Sequence, residues 1–213
     1  MTPERTEKFR KVVANRQPDL TVVLENVHDP HNIGAVLRSC DAVGVQQIFV
    51  LYTEPHLAKD EIIIGKRTSS GARHWVDVHY YTDPEACFRH VRSICEQVFA
   101  THLGVESRSL HAIDFTRPTA LIFGNERDGV SEEVLKYADG NFLIPQVGMV
   151  ESLNISVACA VSLYEAFRQR SDAGYYSGNR PLSPEQQEAL FQDYLRRHAS
   201  KGSGKNVVVK KKG

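Results

Sequence analysis

Leu20-Thr-Val-Val-Leu24 is a run of apolar and β-branched residues with no alternation between polar and apolar positions. A strand built that way has to be covered on both faces, as in a parallel sheet lying between two helical layers. Similar short runs recur at 47–52, 75–79, 98–101, 119–123 and 141–144. Between them lie stretches of helical spacing at 33–43, 83–96 and 131–138. A last one is entered through Ser152 and Asn154 and continues to Phe167. Asn32 and Gly44 bracket the first of these helices. Asp83 with Pro84 opens the second, and Ser131 with Glu132 and Glu133 opens the third. In the last helix Ile155, Ala158, Val161 or Ser162, and Tyr164 with Phe167 recur at helical spacing, so one face is expected to seal a core. Strands interleaved with helices predict an α/β fold, a parallel sheet with helices on both faces.

Helical extensions are expected at both ends. Residues 3–16 can be capped by Thr2, with Pro3 in the first turn and Phe9, Val12 and Val13 on one side. Lys8, Arg10, Lys11 and Arg16 occupy the rest. Residues 181–197 read as a further helix starting near Ser183 and Pro184, and 201–213 read as unstructured. The segment 59–74 is the least regular part of the body. The expected division is an N-terminal extension over 1–17, a body over 18–172, and a C-terminal extension with a basic tail over 173–213.

The 213 residues have zero net charge, but the charge is segregated. Residues 1–16 carry +3 and residues 196–213 carry +7, leaving −10 on the rest. Basic ends on an acidic body suit a protein that grips a polyanion with its extensions. No apolar run is long enough for a membrane span, and the charged N-terminus is unlike a signal sequence. A cytoplasmic protein with no membrane contact is therefore expected. Cys40, Cys87, Cys95 and Cys159 form no C-x-x-C pair. His28 and His31 lie three apart with no third ligand nearby in sequence, so no metal is expected. Dinucleotide, phosphate-loop and nucleophile-elbow signatures are absent as well.

Four loops follow apolar strands, at 28–34, 101–108, 124–129 and 145–154. In a parallel sheet such loops share the carboxyl edge, where ligands bind. Their residues resemble a known set. Asn32-Ile-Gly-Ala-Val-Leu-Arg38 with Asp41-Ala-Val-Gly44, Phe123-Gly-Asn-Glu-Arg-Asp-Gly-Val-Ser131, and Ile144-Pro-Gln-Val-Gly-Met-Val-Glu-Ser-Leu-Asn-Ile-Ser156 resemble the three ordered motifs of the SPOUT superfamily of RNA methyltransferases. The likeness is strongest to its TrmH type and covers nearly the whole chain, including Arg16-Gln-Pro-Asp-Leu-Thr21 and Arg168-Gln-Arg170. The chain departs from the usual pattern at Gly34, Asn125, Arg127 and Asp128.

The resemblance implies a deep trefoil knot in the C-terminal part, a homodimer, S-adenosylmethionine as methyl donor and tRNA as partner. The expected reaction is methylation of the ribose 2′-oxygen of the D-loop guanosine at tRNA position 18. Another tRNA or ribosomal RNA site, or a catalytically silent RNA-binding relative, is the alternative. By the same resemblance Arg38 and Asn32 are the catalytic pair. Thr101, Gly124, Glu126, Ile144, Ser152, Leu153 and Asn154 hold the methyl donor. Lys8, Arg10, Lys11, His31, Arg168 and Arg170 meet the RNA. Because a guanidinium stays protonated, Arg38 is expected to grip a phosphate and stabilise the developing alkoxide rather than accept the proton. Ser152 and Asn154 have a second expected use, as caps of the helix behind them.

Overall fold

The computed structural model describes residues 2–104, 107–150, 152–179, 181–200 and 206–212, without the side chains of Lys66, Arg67 and Asn206. Along the chain come α1 (Pro3–Ala14), β1 (Leu20–Glu25), α2 (Pro30–Ala42), β2 (Gln47–Leu51), β3 (Glu61–Gly65) and α3 (Lys66–Ser69). They are followed by β4 (Asp77–Tyr81), α4 (Pro84–Arg92), β5 (Gln97–Thr101), β6 (Arg108–Ser109), β7 (Thr119–Phe123) and α5 (Glu132–Leu135). The last elements are β8 (Gly140–Leu143), α6 (Ile155–Asp172), α7 (Pro184–Ala199) and β9 (Asn206–Lys212).

Among the described residues the nine strands form one sheet in the order β3-β9-β4-β2-β1-β7-β5-β8-β6. Every pair in it is parallel except β3 with β9. Because side chains alternate across a strand, β1 divides its residues between two cores. Leu20, Val22 and Leu24 face the layer of α2 and α6, packing with Val36, Leu37, Cys40, Cys159 and Leu163. Val23 faces the other layer with Cys87, Phe88 and Val91 of α4 and Val134 of α5. The unalternated run therefore lies between two helical layers, which is why every residue of β1 is buried.

The two terminal helices pack on each other. Phe9 and Val13 of α1 meet Phe191 and Tyr194 of α7, with Trp75 beside them. Arg16, expected on the exposed side of α1, is fully buried. Its guanidinium donates to the Tyr194 hydroxyl at 2.7 Å, to Asp41 at 2.6 Å and to the Val45 carbonyl at 3.0 Å. Burial at that point demands partners for the donors, and the Trp75 carbonyl at 3.3 Å supplies a fourth.

Several expectations need correction. α2 begins at Pro30, and Asp29 rather than Asn32 caps it, its carboxylate accepting from the His31 amide at 2.8 Å. Asn154, not Ser152, is the cap of α6 and accepts from the Ser156 amide at 2.9 Å. Of the face expected on α6, Ile155 and Ser162 are buried but Val161 and Tyr164 are 40% and 54% exposed; the buried side continues through Cys159, Leu163 and Ala166. The irregular segment holds β3 and α3. In the tail read as unstructured, residues 201–205 and 213 lie outside the described ones, while 206–212 form β9. Three successive valines there have the β-branched shape a pleated strand accepts. Ile62, Ile63 and Ile64 of β3 pair with Val209, Val208 and Val207 respectively.

Since β9 is the strand that links β3 to the sheet, deleting 206–212 should strip hydrogen-exchange protection from the amides of Glu61–Gly65 and leave β1 and β7 protected as before. Unchanged protection in β3 would contradict this placement of the tail.

Candidate functional site

Parallel registers bring four loops to one edge. Leu24 pairs with Phe123, Ala100 with Ile122, and Thr101 with Phe142, so β1, β7, β5 and β8 end level with one another. The chain leaves those ends as the loops before α2, after Thr101, after Phe123 and after Leu143. The crossovers that make the sheet parallel thus gather the motifs from distant parts of the sequence.

Each loop is held by its own chemistry. After β7 the Asn125 side chain accepts from the amides of Arg127 and Asp128, both at 2.8 Å, and Asn125 and Gly129 bridge through their backbones. A Cβ on Gly124 would lie 1.9 Å from the Gly129 carbonyl carbon, so this turn can close only over glycine. Thr101 donates its hydroxyl to the Ile122 carbonyl at 3.2 Å, fixing the start of the loop after β5 to the neighbouring strand. Gly34 has a similar necessity: its Cβ would meet the Thr68 hydroxyl at 2.4 Å, so α2 and α3 approach through it.

Three loops meet at Asn32. Its amide nitrogen donates to the Glu126 carboxylate in a very short contact, and its oxygen accepts from the Asn154 amide at 3.3 Å. One side chain from α2 therefore joins the loop after β7 to the cap of α6. Arg38, two turns along the same helix, is exposed. Neither Asp41, one turn away on the same helix, nor Glu126 is engaged with it among the described residues: Asp41 binds Arg16, and Glu126 binds Asn32. Ile144 is half-buried against the core beneath the edge, Leu153 is half-buried, and Ser152 is exposed.

The residues expected to meet RNA separate into groups. Lys8, Arg10 and Lys11 are exposed on α1, with Arg10 paired to Glu188 at 3.2 Å and lying over the Phe191 ring. His31 is exposed at the start of α2, 2.8 Å from the Asp29 carboxylate. Arg168 lies on the surface of α6, chelated by Glu165 at 2.8 Å and Asp172 at 3.1 Å. That contact, with further bonds from Gln169 and His111, holds the Glu165 carboxyl at about 2.

Arg170 is a correction: it has no exposed surface and cannot reach a phosphate in this fold. It is spent on Asp19 at 2.6 Å, the Gln17 side chain at 3.0 Å and the Phe115 carbonyl at 2.8 Å. The sequence pattern of two arginines two apart on a helix could not separate them, because the distinction depends on which side faces the sheet. His28 and His31 also part company. His31 turns to Asp29, whereas His28 faces Glu54 and His56.

Two features were absent from the sequence-derived set. Glu25 is buried at the carboxyl end of β1, accepting from the Ser131 amide at 2.9 Å and hydroxyl at 2.5 Å; burial pushes its carboxyl up. A lone acid closing an apolar strand was its only signal. Leu103, Val147, Met149 and Val150 are exposed on the loops after β5 and β8. Exposed apolar groups of that size at the binding edge of a parallel sheet suit a purine or thioether more than water.

A family model described as the SpoU rRNA Methylase family matches residues 19–164. The chain belongs to that family. The SpoU likeness reaches beyond the matched core: a tRNA (guanosine(18)-2′-O)-methyltransferase of Thermus thermophilus is 44% identical over 198 residues, covering 92% of this chain and 98% of that one. Among solved structures, the Aquifex aeolicus TrmH/SpoU tRNA modifying enzyme superposes with a TM-score of 0.81 at 37% identity, covering 93% of this chain and 98% of that one. An AdoMet-bound rRNA methyltransferase from Sinorhizobium meliloti superposes with a TM-score of 0.60 at 30% identity over 75% of this chain and 59% of that one.

The two arginines of α6 give a direct test of their different duties. Arg170→Ala leaves Asp19 charged and half-enclosed without its partner and should cost about 3–5 kcal/mol of stability in denaturant unfolding. Arg168→Ala removes an exposed pair with Asp172 and one of several partners of Glu165, which keeps Gln169 and His111, and should cost clearly less.

Proposed function

We propose that this chain transfers the methyl group of S-adenosylmethionine to the ribose 2′-oxygen of guanosine 18 in tRNA, acting as a homodimer in the cytoplasm. One observation supports the substrate: similarity to the T. thermophilus tRNA enzyme covers 92% of this chain, more than residues 18–172 can account for, and so reaches towards the terminal helices, while the S. meliloti rRNA structure matches three quarters of the chain. Those helices are what the tRNA reading needs. Lys8 and Lys11 project from α1 and Arg196 is 77% exposed at the end of α7, so the lobe presents cations to a phosphate backbone. The proposed division of labour follows: 1–17 and 173–213 hold the RNA, and 18–172 holds the methyl donor and the reaction.

S-adenosylmethionine supplies an electrophilic methyl group, and the chain's part is to bring a ribose oxygen in line with it. The backbone at Gly124, Ile144, Ser152 and Leu153, with Thr101 beneath, forms the donor's cradle in this reading, and the exposed Leu103 and Met149 suit its apolar surfaces. Glu126, Asn32 and Asn154 keep the three loops in register. Arg38 is left to the substrate: its fork grips a phosphate flanking the target ribose and lowers the energy of the oxygen as negative charge develops, while the 2′-hydroxyl proton passes to water. His31, exposed at the start of the same helix, is placed to meet the same strand of RNA.

The homodimer reading rests on α6. Val157, Val161 and Tyr164 are 46%, 40% and 54% exposed and follow helical spacing, a stripe that a second copy would cover. The knotted threading is proposed on the family likeness and on one feature of α6, whose Gln169 and Arg170 hold the backbone at Ile113 and Phe115 in the β5–β7 connection.

Purified chain with labelled S-adenosylmethionine and an unmodified tRNA transcript should place one 2′-O-methyl group on guanosine 18, read by nuclease mapping and mass spectrometry. Methyl groups elsewhere, or in ribosomal RNA alone, would overturn the substrate assignment. Arg38→Lys keeps the charge but not the fork; turnover should fall about 10²–10³-fold with donor affinity intact. Near-parental turnover in that variant would rule out bidentate gripping. Val161→Asp with Tyr164→Asp should sediment as a monomer, and a dimer that survives both charges would exclude this face as the interface.

A further inference from the structure

We propose that His28, Glu54 and His56 form a binding site for a borderline divalent transition cation, Zn²⁺ foremost. The three residues come from two loops, His28 between β1 and α2, and Glu54 and His56 after β2. Their ligand atoms all lie within 4.8 Å of one another. Both imidazoles present Nε2 to the same carboxylate oxygen, Glu54 Oε2, at 3.7 Å from His28 and 3.4 Å from His56. Ligands about 2.0–2.1 Å from a tetrahedral zinc stand roughly 3.4 Å apart, so two of the three spacings already fit. The rings themselves are 5.7 Å apart between centroids, and the third spacing closes by rotation of exposed side chains.

In the tautomer that carries its proton on Nδ1, each neutral imidazole offers an Nε2 lone pair beside Glu54 Oε2, and a cation among the three would accept all of them. Two nitrogens and one carboxylate form the donor set of open zinc sites, with the fourth position left to water or an anion. Magnesium and calcium prefer all-oxygen surroundings and suit it poorly.

The loops are tied together independently of any cation. The Asn26 side chain donates to the Thr53 hydroxyl at 2.8 Å and accepts from the amides of Thr53 at 2.9 Å and Glu54 at 3.3 Å. Asn26 holds this position at φ 48°, in the left-handed region that asparagine tolerates better than most residues. Tyr52 closes the arrangement by donating its hydroxyl to the Val27 carbonyl at 2.9 Å. A scaffold braced on both sides of the ligands needs little ordering when a cation enters. His28 precedes Asp29, the cap of α2, so occupancy would stiffen the turn that presents Asn32.

The test uses the full-length chain without a polyhistidine tag, titrated with Zn²⁺ alone against a chromophoric chelator, with Co²⁺ as a spectroscopic substitute. The expected result is one cation per chain, a tetrahedral Co²⁺ absorption band, no competition from Mg²⁺, a higher Tm with Zn²⁺ and slower amide exchange at Val27–Ile33. His56→Ala and Glu54→Gln, both at partly exposed positions, should each weaken Zn²⁺ binding by more than the roughly 10–100-fold lost when a mere orienting neighbour of a ligand is removed. His111→Ala, outside the cluster, should leave it unchanged. No saturable binding, or equal affinity in the His56→Ala and Glu54→Gln variants, would overturn the site. None of these readouts involves methyl transfer, so the result stands apart from the fate of the proposed reaction.

Discussion

Arg170 holds a full positive charge where no solvent reaches it, and much of the architecture depends on that charge being met. Its partners are Asp19 and Gln17 ahead of β1 and the carbonyls of Phe115 and Arg117 ahead of β7. These are the amino ends of the two central strands. The guanidinium therefore pins the last turn of α6 to that edge of the sheet. An 18-residue helix is about 27 Å long, so fixing one end fixes where the other emerges. It emerges at the carboxyl edge, with Asn154 as its cap beside Asn32. A buried ion pair of this kind is weak evidence for stability but a strong constraint on geometry, since any other docking of α6 would strand the charge.

The opposite edge is organised by smaller groups. Asn32, Glu126 and Asn154 form a chain of amide and carboxylate contacts across three loops, and Gly124 and Gly34 allow the backbones around them to approach. Rigid strands end level and the loops that leave them are braced by their own side chains, while Arg38 is exposed further along the helix that carries Asn32. The α1–α7 lobe extends this logic: buried Arg16 links the two helices through Tyr194 while Lys8 and Lys11 stay outside.

Much of the fold was legible because its rules are local. Unalternated apolar runs, N-caps such as Asp83 and Ser131, and Pro84 or Pro184 in a first turn announce their elements wherever they pack. What failed was also local in cause. Asn32 looked like a cap because its side chain can play that part, yet Asp29 with Pro30 took it and released Asn32 to Glu126. Residues 206–212 looked like a solvated tail because of their lysines, though the valine run pairs with β3 and Val209 packs against the core.

The sequence by itself determined the α/β class, the order of the three motifs and the set of loops in which the candidate site lies, because strand pattern, capping and motif spacing are written along the chain. Only the tertiary structure decided which of Arg168 and Arg170 faces solvent, where Asp41 spends its charge, and that His28 meets Glu54 and His56 instead of His31. Those outcomes turn on which side of a helix lies against the sheet and which loops the crossovers bring together, and such distances arise between residues far apart in the chain.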